Sequence, residues 1–211
     1  MSTQKGLLLV LVDPAPSLEE ELNAWYDTEH LPERAALPGF ETALRFTSLG
    51  DGPRYAALYD LTDLDVLRSA GYLAVSGDRF SPWTKRVTGR SHPARLTARQ
   101  VAGSREATGK CLRFVILKFR DTTPDDLPTI AAGLEASYGG HPACLKWRIF
   151  AGAEPAPDFT LVLAEFGGPV VPSLSVEAFG AAGRRIEAMF AGLSIAGSDG
   201  GPGRALARAV D

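Results

Sequence analysis

The sequence predicts an α+β fold in which a βαββαβ unit occurs twice, once in residues 1–105 and once in residues 106–211. Strand and helix signals follow the same order in both halves, and each half contains a hairpin signal between its second and third strands. The halves also end in similar segments, PARLTARQV (93–101) and PGRALARAV (202–210). Such internal similarity indicates a duplication. A βαββαβ unit has the ferredoxin-like order. Its sheet has helices on one face only, so the two bare faces are expected to pack together as one barrel.

In the N-terminal unit (residues 1–105), a short apolar run predicts a strand that is covered on both faces. Ser17 and Glu20 form a capping box that begins the first helix. Pro32 disfavours a helical conformation of the residue before it, so this helix is expected to end near His30. The predicted elements are the strand Leu7–Val12, the helix Ser17–His30, the strands Phe40–Leu49 and Arg54–Leu61, a helix from Thr62 through Leu73, a loop over Gly77–Arg90 and the strand Ala94–Ala102.

The C-terminal unit (residues 106–211) repeats that order. Thr123 and Pro124 suit the N-cap and the first helical position. The predicted elements are the strand Cys111–Phe119, a helix that begins at Thr123, the strands Ala143–Phe150 and Phe159–Phe166, a helix from Ser175 through Phe190 and the strand Arg204–Val210.

The composition excludes several classes of function. The chain has 211 residues, 45% of them hydrophobic, and a formal net charge of −3, so no electrostatic feature favours nucleic acid or an anionic membrane. No apolar run approaches the roughly 20 residues needed to span a bilayer, and we expect a cytoplasmic protein. Cys111 and Cys144 are expected to be free thiols, because free cysteine is usually buried and the first two strands of such a unit are not neighbours.

The stretch WYDTEHLPERAALPGF (25–40) and the run S-P-W-T-x-R (81–86) resemble the EthD-like family of the dimeric α+β barrel superfamily. The matching residues are Trp25, Tyr26, Asp27, Glu29, His30, Leu31, Pro32, Glu33, Arg34, Pro38, Gly39 and Phe40. The resemblance implies a barrel of two sheets with helices outside and a pocket between the sheets. Relatives in this superfamily include cofactor-free monooxygenases, cyclases, isomerases, lyases and decarboxylases, besides haem-dependent branches.

His30 is the candidate general acid or base. Tyr26 and Asp27 precede it by four and three residues, so both can lie on its face of the helix. A carboxylate beside an imidazole can orient it for proton transfer. Asp27 and a helix C-terminus would both favour the charged imidazole. The alternative is a histidine that caps the last carbonyls of the helix. The corresponding stretch of the C-terminal unit, Ser137–Pro142, keeps a tyrosine and His141 but lacks both carboxylates, which argues against a second, symmetric site.

The other candidates bind substrate. Trp83, in the predicted loop, and Tyr26 could wall a pocket, or Trp83 could plug the barrel end. Arg45 lies on one face of its strand, Arg95 and Arg99 lie on one face of theirs, and Lys146 and Arg148 do the same in the C-terminal unit. If the apolar faces pack on the helices, these cations face the other sheet. There they either pair with Glu41, Asp60 or Glu165, or meet an anionic ligand.

The three histidines, His30, His92 and His141, show no metal-ligand spacing, so neither a metal nor an organic cofactor is expected. The leading hypothesis is a cofactor-independent enzyme that performs acid–base chemistry, of the lyase, isomerase, cyclase or decarboxylase type. Its substrate would be an aromatic or polyketide-like molecule, hydrophobic and able to carry a negative charge. The alternatives are a cofactor-free monooxygenase and a non-catalytic protein that binds a hydrophobic ligand. The whole chain could also form a homodimer.

A barrel that closes within one chain makes a testable prediction. Cutting the chain between Gly103 and Gly109 should leave two halves that are poorly soluble alone, because each exposes a bare apolar sheet face. Separate expression and sedimentation would measure this. Two stable, monomeric halves would contradict the intrachain barrel.

Overall fold

The computed structural model describes residues 4–153, 155 and 157–198. Eight strands form a closed antiparallel barrel in the order β1-β3-β2-β8-β5-β7-β6-β4. The strands are β1 (Gly6–Val12), β2 (Ala43–Ser48), β3 (Tyr55–Leu61), β4 (Ala94–Gly103), β5 (Arg113–Arg120), β6 (Cys144–Gly152), β7 (Phe159–Phe166) and β8 (Ile186–Ser198). The α-helices are α1 (Glu19–Trp25), α2 (Leu31–Ala35), α3 (Ala70–Leu73), α4 (Pro82–Ser91), α5 (Leu127–Leu134) and α6 (Gly180–Gly183).

Wide and tight helical turns complete the helical layer. Tyr26–His30 and Glu135–Gly139 are π-helical, and the 3₁₀ segments are Pro16–Leu18, Leu64–Arg68, Gly77–Arg79, Pro124–Asp126 and Val176–Phe179. None of the helices in the described part of the chain combines the length and the apolar character that a membrane crossing requires.

The predicted fold class is confirmed. Within the barrel the N-terminal strands run in the order β4-β1-β3-β2 and the C-terminal strands in the order β8-β5-β7-β6, which is the ferredoxin-like order in each case. The two sheets join through the pairs β2–β8 and β4–β6. The barrel therefore closes within a single chain. The common ancestry of the two units stays a prediction.

The barrel interior is a packed apolar core. Phe46 and Phe114 stack across it with ring centroids 4.2 Å apart. The buried side chains that fill the interior are Leu7, Leu9, Leu44, Phe46, Ala56, Leu58, Ala98, Phe114, Ile116, Phe150, Phe159, Leu161, Leu163 and Phe190. A cavity of about 10 Å³ beside Leu11 and Pro53 could hold one water molecule at most. The expectation of a pocket between the two sheets is therefore wrong for this part of the barrel, because packed side chains occupy that space.

The first helical segment does not end near His30, as Pro32 had suggested. The chain continues through the π-helical turn Tyr26–His30, in which the Leu31 N–H bonds the Tyr26 carbonyl, and on through α2 to Ala35. Pro32 lacks the backbone N–H that a helix interior normally uses, and the wide turn directly before it accommodates this gap. His30 consequently lies inside a continuous helical segment.

Two further element predictions are wrong. The predicted loop Gly77–Arg90 contains most of α4, because Ser81 caps this helix by accepting a hydrogen bond from the Thr84 N–H and Pro82 occupies its start. The helix predicted from Ser175 through Phe190 stops at Gly183, after the left-handed Gly180. The chain then forms β8, whose Phe190 enters the barrel interior. The predicted strand Arg204–Val210 lies outside the described residues.

A buried ionic network closes one end of the barrel. The Arg148 guanidinium donates to Asp60 at 2.6 Å and to the Thr108 hydroxyl, and both charged side chains are about 1% exposed. The Thr108 N–H also donates to Asp60 at 2.7 Å. Since Thr108 belongs to the segment 104–112 that connects β4 and β5, the linker between the two units forms the lid of this end.

Lys146 and Arg148 of the C-terminal unit pair with acidic side chains, which is one of the two alternatives that the sequence left open. Arg148 pairs with Asp60, and Lys146 lies 3.5 Å from the Glu165 carboxylate. Burial would raise the pKa of Asp60, but Arg148 and Thr108 outweigh it and hold that pKa below its ordinary value. Burial raises the pKa of Glu165. These strand residues therefore pair with one another at this end of the barrel.

Replacing Arg148 by Met should destabilise the fold strongly, because the Asp60 carboxylate would stay buried without its guanidinium. Removing one partner of such a buried pair typically lowers the free energy of unfolding by about 3–5 kcal/mol. Urea unfolding at pH 7 would measure this loss. Arg120→Met is the matched control, since Arg120 forms an exposed ion pair with Asp121, which contributes about 1 kcal/mol at most. Equal losses in the two variants would contradict the assigned role of the network.

Candidate functional site

The candidate site lies on the outer face of the N-terminal sheet, between the helical turn Tyr26–His30 and the strands β2 and β3. His30 stacks on Trp25 with ring centroids 4.3 Å apart and an interplanar angle of 28°. Its edge meets Tyr26 at 5.5 Å and Tyr59 at 6.3 Å. The imidazole is therefore held by aromatic rings from three elements of the structure.

The environment of His30 keeps its imidazole neutral. Burial, together with the positive charges of Arg34 and Arg45, lowers the pKa of His30 from 6.5 to about 3. This corrects the expectation of a favoured imidazolium, because His30 is not at a helix C-terminus and its nearest charged groups are guanidiniums. The Nδ1 atom of the imidazole is buried and has no hydrogen-bond partner in the described structure.

Asp27 does not orient the imidazole in the described structure. Its carboxylate is 46% exposed and lies 3.7 Å from the Arg45 guanidinium. The hydrogen bonds of the described residues include none between Asp27 and His30, whose contacts are aromatic. The carboxylate thus stands at the solvent side of the site, next to a buried cation.

Arg45 faces the helices and not the opposite sheet, contrary to the sequence-based expectation. Its neighbours Leu44 and Phe46 point into the barrel, so alternation along β2 places Arg45 on the outer face. Its guanidinium donates to Asn23 at 2.8 Å and lies over the rings of Tyr26 and Tyr55, 4.2 Å and 4.9 Å from their centroids. Arg45 is about 1% exposed, and its Nε has no partner in the described structure.

Two residues of the site, Tyr59 and Arg34, were not among the sequence candidates. The Tyr59 hydroxyl is buried and has no partner in the described structure, and burial raises the pKa of Tyr59 well above its ordinary value. Arg34 donates to the Val75 carbonyl at 2.8 Å and lies over the Tyr72 ring. The alternation of Tyr55 and Tyr59 along β3 could have indicated Tyr59, whereas the position of Arg34 depends on the continuation of the helix past Pro32.

The other predicted binding residues are Trp83, Arg95 and Arg99. Trp83 is on α4 and packs against the helix layer. Arg95 and Arg99 are exposed on the outer face of β4, because Leu96 and Ala98 take the inward positions, and Arg95 donates to the Tyr72 hydroxyl at 3.4 Å. The structure brings together Tyr26, Asp27, His30 and Arg45. For Trp83, Arg95 and Arg99 a role in binding stays a prediction.

The two stretches that carried the family resemblance contact each other. The Trp25 indole N–H donates to the Thr84 hydroxyl at 3.0 Å, and Thr84 donates to the Glu29 carboxylate at 2.8 Å. Ser81 donates to the same carboxylate oxygen at 2.5 Å. Residues 25–30 are therefore joined to the start of α4 by a chain of hydrogen bonds.

The chain shares its fold with several solved structures. They include a provisionally assigned monooxygenase from Lactobacillus acidophilus (TM-score 0.57, 8% identity, covering 93% of this chain and 97% of that chain). A mutant chlorite dismutase from Candidatus Nitrospira defluvii matches with a TM-score of 0.57 and 8% identity over 92% of this chain and 93% of that chain. A haem-binding protein from Thermus thermophilus matches with a TM-score of 0.56 and 14% identity over 91% of each chain.

These identities establish a shared fold and leave the reaction open. No protein-family model and no curated protein sequence matches the chain. The fold is therefore that of the ferredoxin-like α+β barrel proteins, and the closer resemblance to the EthD-like family stays a prediction.

The described residues do not fit a haem, which needs an accessible axial ligand and room for a flat macrocycle. His141 is an exposed turn residue whose Nδ1 accepts a hydrogen bond from the Ala143 N–H. Phe119 and Phe179 pack 5.5 Å apart in the helix layer of the same unit. No histidine lines the cavity beside Leu11 and Pro53 or a cleft of about 260 Å³ beside Gln100. Among the described residues, no group of three histidine, cysteine or acidic side chains could hold a metal ion.

The lowered pKa of His30 predicts how stability depends on pH. Below pH 6.5 the unfolded chain takes up a proton at this histidine, whereas the folded protein does so only near pH 3. The free energy of unfolding should therefore fall as the pH is lowered from 6.5 towards 3, through this residue among others. His30→Gln should make that fall shallower, measured by urea unfolding at several pH values, and His141→Gln is the control. An unchanged pH dependence in His30→Gln would contradict the assigned environment.

Proposed function

We propose that the protein is an enzyme that removes a proton from an enolisable or phenolic small molecule, with His30 as the base. The observation that carries this proposal is a cluster of buried polar atoms that have no hydrogen-bond partner in the described structure, under the helices of the N-terminal unit. Besides Arg34 Nη1 and Trp83 Nε1, it contains His30 Nδ1, Arg45 Nε and the Tyr59 hydroxyl, which belong to the candidate site. Buried polar groups are nearly always hydrogen-bonded, so a cluster of unpaired ones indicates a site for a polar ligand.

The three groups have complementary roles in this chemistry. A neutral imidazole can accept a proton, and the low pKa of His30 keeps it neutral at physiological pH. The Arg45 guanidinium is held at a fixed place by Asn23 and two tyrosine rings, so it can stabilise the enolate or phenolate that forms. The Tyr59 hydroxyl stays protonated because of its raised pKa, and it can donate a hydrogen bond to the same oxygen.

The bound anion would also compensate for the low basicity of His30. A negative charge beside Arg34 and Arg45 offsets their effect on the imidazole, which raises the pKa of His30 in the complex. Tyr26 supplies an aromatic wall next to Arg45, and Asp27 stands where the site meets solvent. An aromatic substrate with an acidic hydroxyl or C–H group suits these surroundings.

A cofactor-free monooxygenase is the second candidate, since an electron-rich enolate or phenolate is the species that can react directly with oxygen. The provisional monooxygenase name of a structural neighbour favours this alternative. Return of the proton to a different carbon would define an isomerase, loss of a leaving group from the enolate would define a lyase, and oxygen uptake would define the oxygenase.

The test uses benzoylacetone in D₂O, with exchange of its acidic C–H followed by NMR, and a naphthohydroquinone with an oxygen electrode. His30→Ala should lower the catalysed rate about 10²- to 10⁴-fold, the usual contribution of a positioned base. Asp27→Asn should lower it less, because the base remains in place. His141→Ala, which removes the exposed histidine of the C-terminal unit, should leave the rate unchanged.

A folded His30→Ala variant with the rate of the unmodified protein would refute the role of His30. Saturable binding of benzoylacetone without exchange or oxygen uptake would instead favour the non-catalytic binding protein.

A further inference from the structure

Two hydrogen bonds form a chain from Trp25, the last residue of α1, through Thr84 of α4 to Glu29 in the turn Tyr26–His30. Trp25 donates its indole N–H to the Thr84 hydroxyl, and Thr84 donates its own proton to the Glu29 carboxylate. Because the hydroxyl accepts one bond and donates another, its orientation is fixed from both sides. The chain ends on an anion, which strengthens the last bond.

This arrangement determines the position of the Trp25 ring. Trp25 and Thr84 are each about 2% exposed, so neither can exchange its partner for water without opening the helix layer. The face of Trp25 lies 4.3 Å from the imidazole of His30. A fixed indole therefore restricts the imidazole on one face, while Tyr26 and Tyr59 restrict its edge.

The attachment of α4 to the rest of the fold does not depend on the Thr84 hydroxyl. Ser81 already caps the helix by accepting from the Thr84 N–H at 2.9 Å, and Ser81 also binds Glu29. Val87 on the same helix is fully buried in the apolar layer. The Thr84 hydroxyl thus adds the link from α4 to the indole of Trp25, which is the part of the contact that reaches His30.

We propose that Thr84 is a positioning residue: through Trp25 it fixes the plane of the His30 imidazole so that the ring faces the Arg45 guanidinium and the Tyr59 hydroxyl. Glu29 is the anchor of the chain, and neither Glu29 nor Thr84 needs to touch the substrate. The inference rests on the proposed function for its catalytic consequence, but the orientation of the imidazole can be measured without any substrate.

The decisive variant is Thr84→Val, which removes the hydroxyl and keeps the shape of the side chain. Two quantities are measured on the full chain: NMR cross-relaxation between the Trp25 and His30 rings, and benzoylacetone exchange. Thr84→Val should weaken the ring-to-ring signals and reduce exchange about 10- to 100-fold, as expected from a small misplacement of a catalytic group. Thr84→Ser, which restores the hydroxyl, should recover both.

Thr88→Val is the matched control. The Thr88 hydroxyl bonds the Thr84 carbonyl at 2.7 Å within the same helix, so this variant loses a threonine hydroxyl of α4 but keeps the chain to Trp25. Both quantities should stay unchanged. If Thr84→Val does not fold, Glu29→Gln weakens the same chain at its partly exposed end and replaces it in the test.

The outcomes separate this inference from the proposed function. Unchanged ring-to-ring signals in a folded Thr84→Val or Glu29→Gln variant would overturn the positioning role, whatever the activity. Weakened signals that Thr84→Ser does not restore would also overturn it, because the loss would then be one of packing alone. Weakened and restored signals together with an inactive unmodified protein would support the positioning of His30 and count against the proposed function.

Discussion

The mutual burial of the two bare sheet faces is the constraint on which the rest of this structure depends. Each βαββαβ unit covers one face of its sheet with helices, and the other face is mainly apolar, with charged side chains at one end. The pairs β2–β8 and β4–β6 bring these faces together and leave no open edge between the two sheets. The hydrophobic effect then drives barrel closure within one chain, without a second copy.

A barrel filled in this way has little room for chemistry inside it. Phe46, Phe114 and Phe190 are among the side chains that take up the interior, and charged side chains pair at the end of the barrel that lies under the linker. The outer faces differ between the two units. The N-terminal face carries His30, Arg45 and Tyr59 under its helices, whereas the corresponding C-terminal layer is closed by aromatic and aliphatic packing. The fold is thus symmetric in strand order and asymmetric in chemistry.

The candidate site combines a weakly basic histidine with buried cations, and this combination follows from its place between helix and sheet. Water is largely excluded there, so burial disfavours a charged imidazole and makes the guanidinium of Arg45 a strong electrostatic group. A helical turn of π type precedes α2 in this unit, and a similar turn occurs at Glu135–Gly139 in the other. The wide turn is therefore a property of the fold, and the residues on it distinguish the two units.

The sequence by itself determined the fold class and most of the order of the elements, because apolar periodicity, capping residues and hairpin turns are local signals. The loop predicted at α4 and the helix predicted at the start of β8 are the exceptions. The sequence also located Tyr26, Asp27, His30 and Arg45 as candidates.

Tertiary structure decided what these residues face. Whether Arg45 points into the barrel or under the helices depends on which strand face the other sheet covers, and alternation alone is the same in both cases. The continuation of the helix past Pro32, the formation of α4 and the ion pair of Arg148 with Asp60 likewise required contacts between residues far apart in the chain. The pKa of His30 was misjudged from sequence for the same reason: its burial and the nearby guanidiniums arise only when β2 packs beneath the turn that carries it.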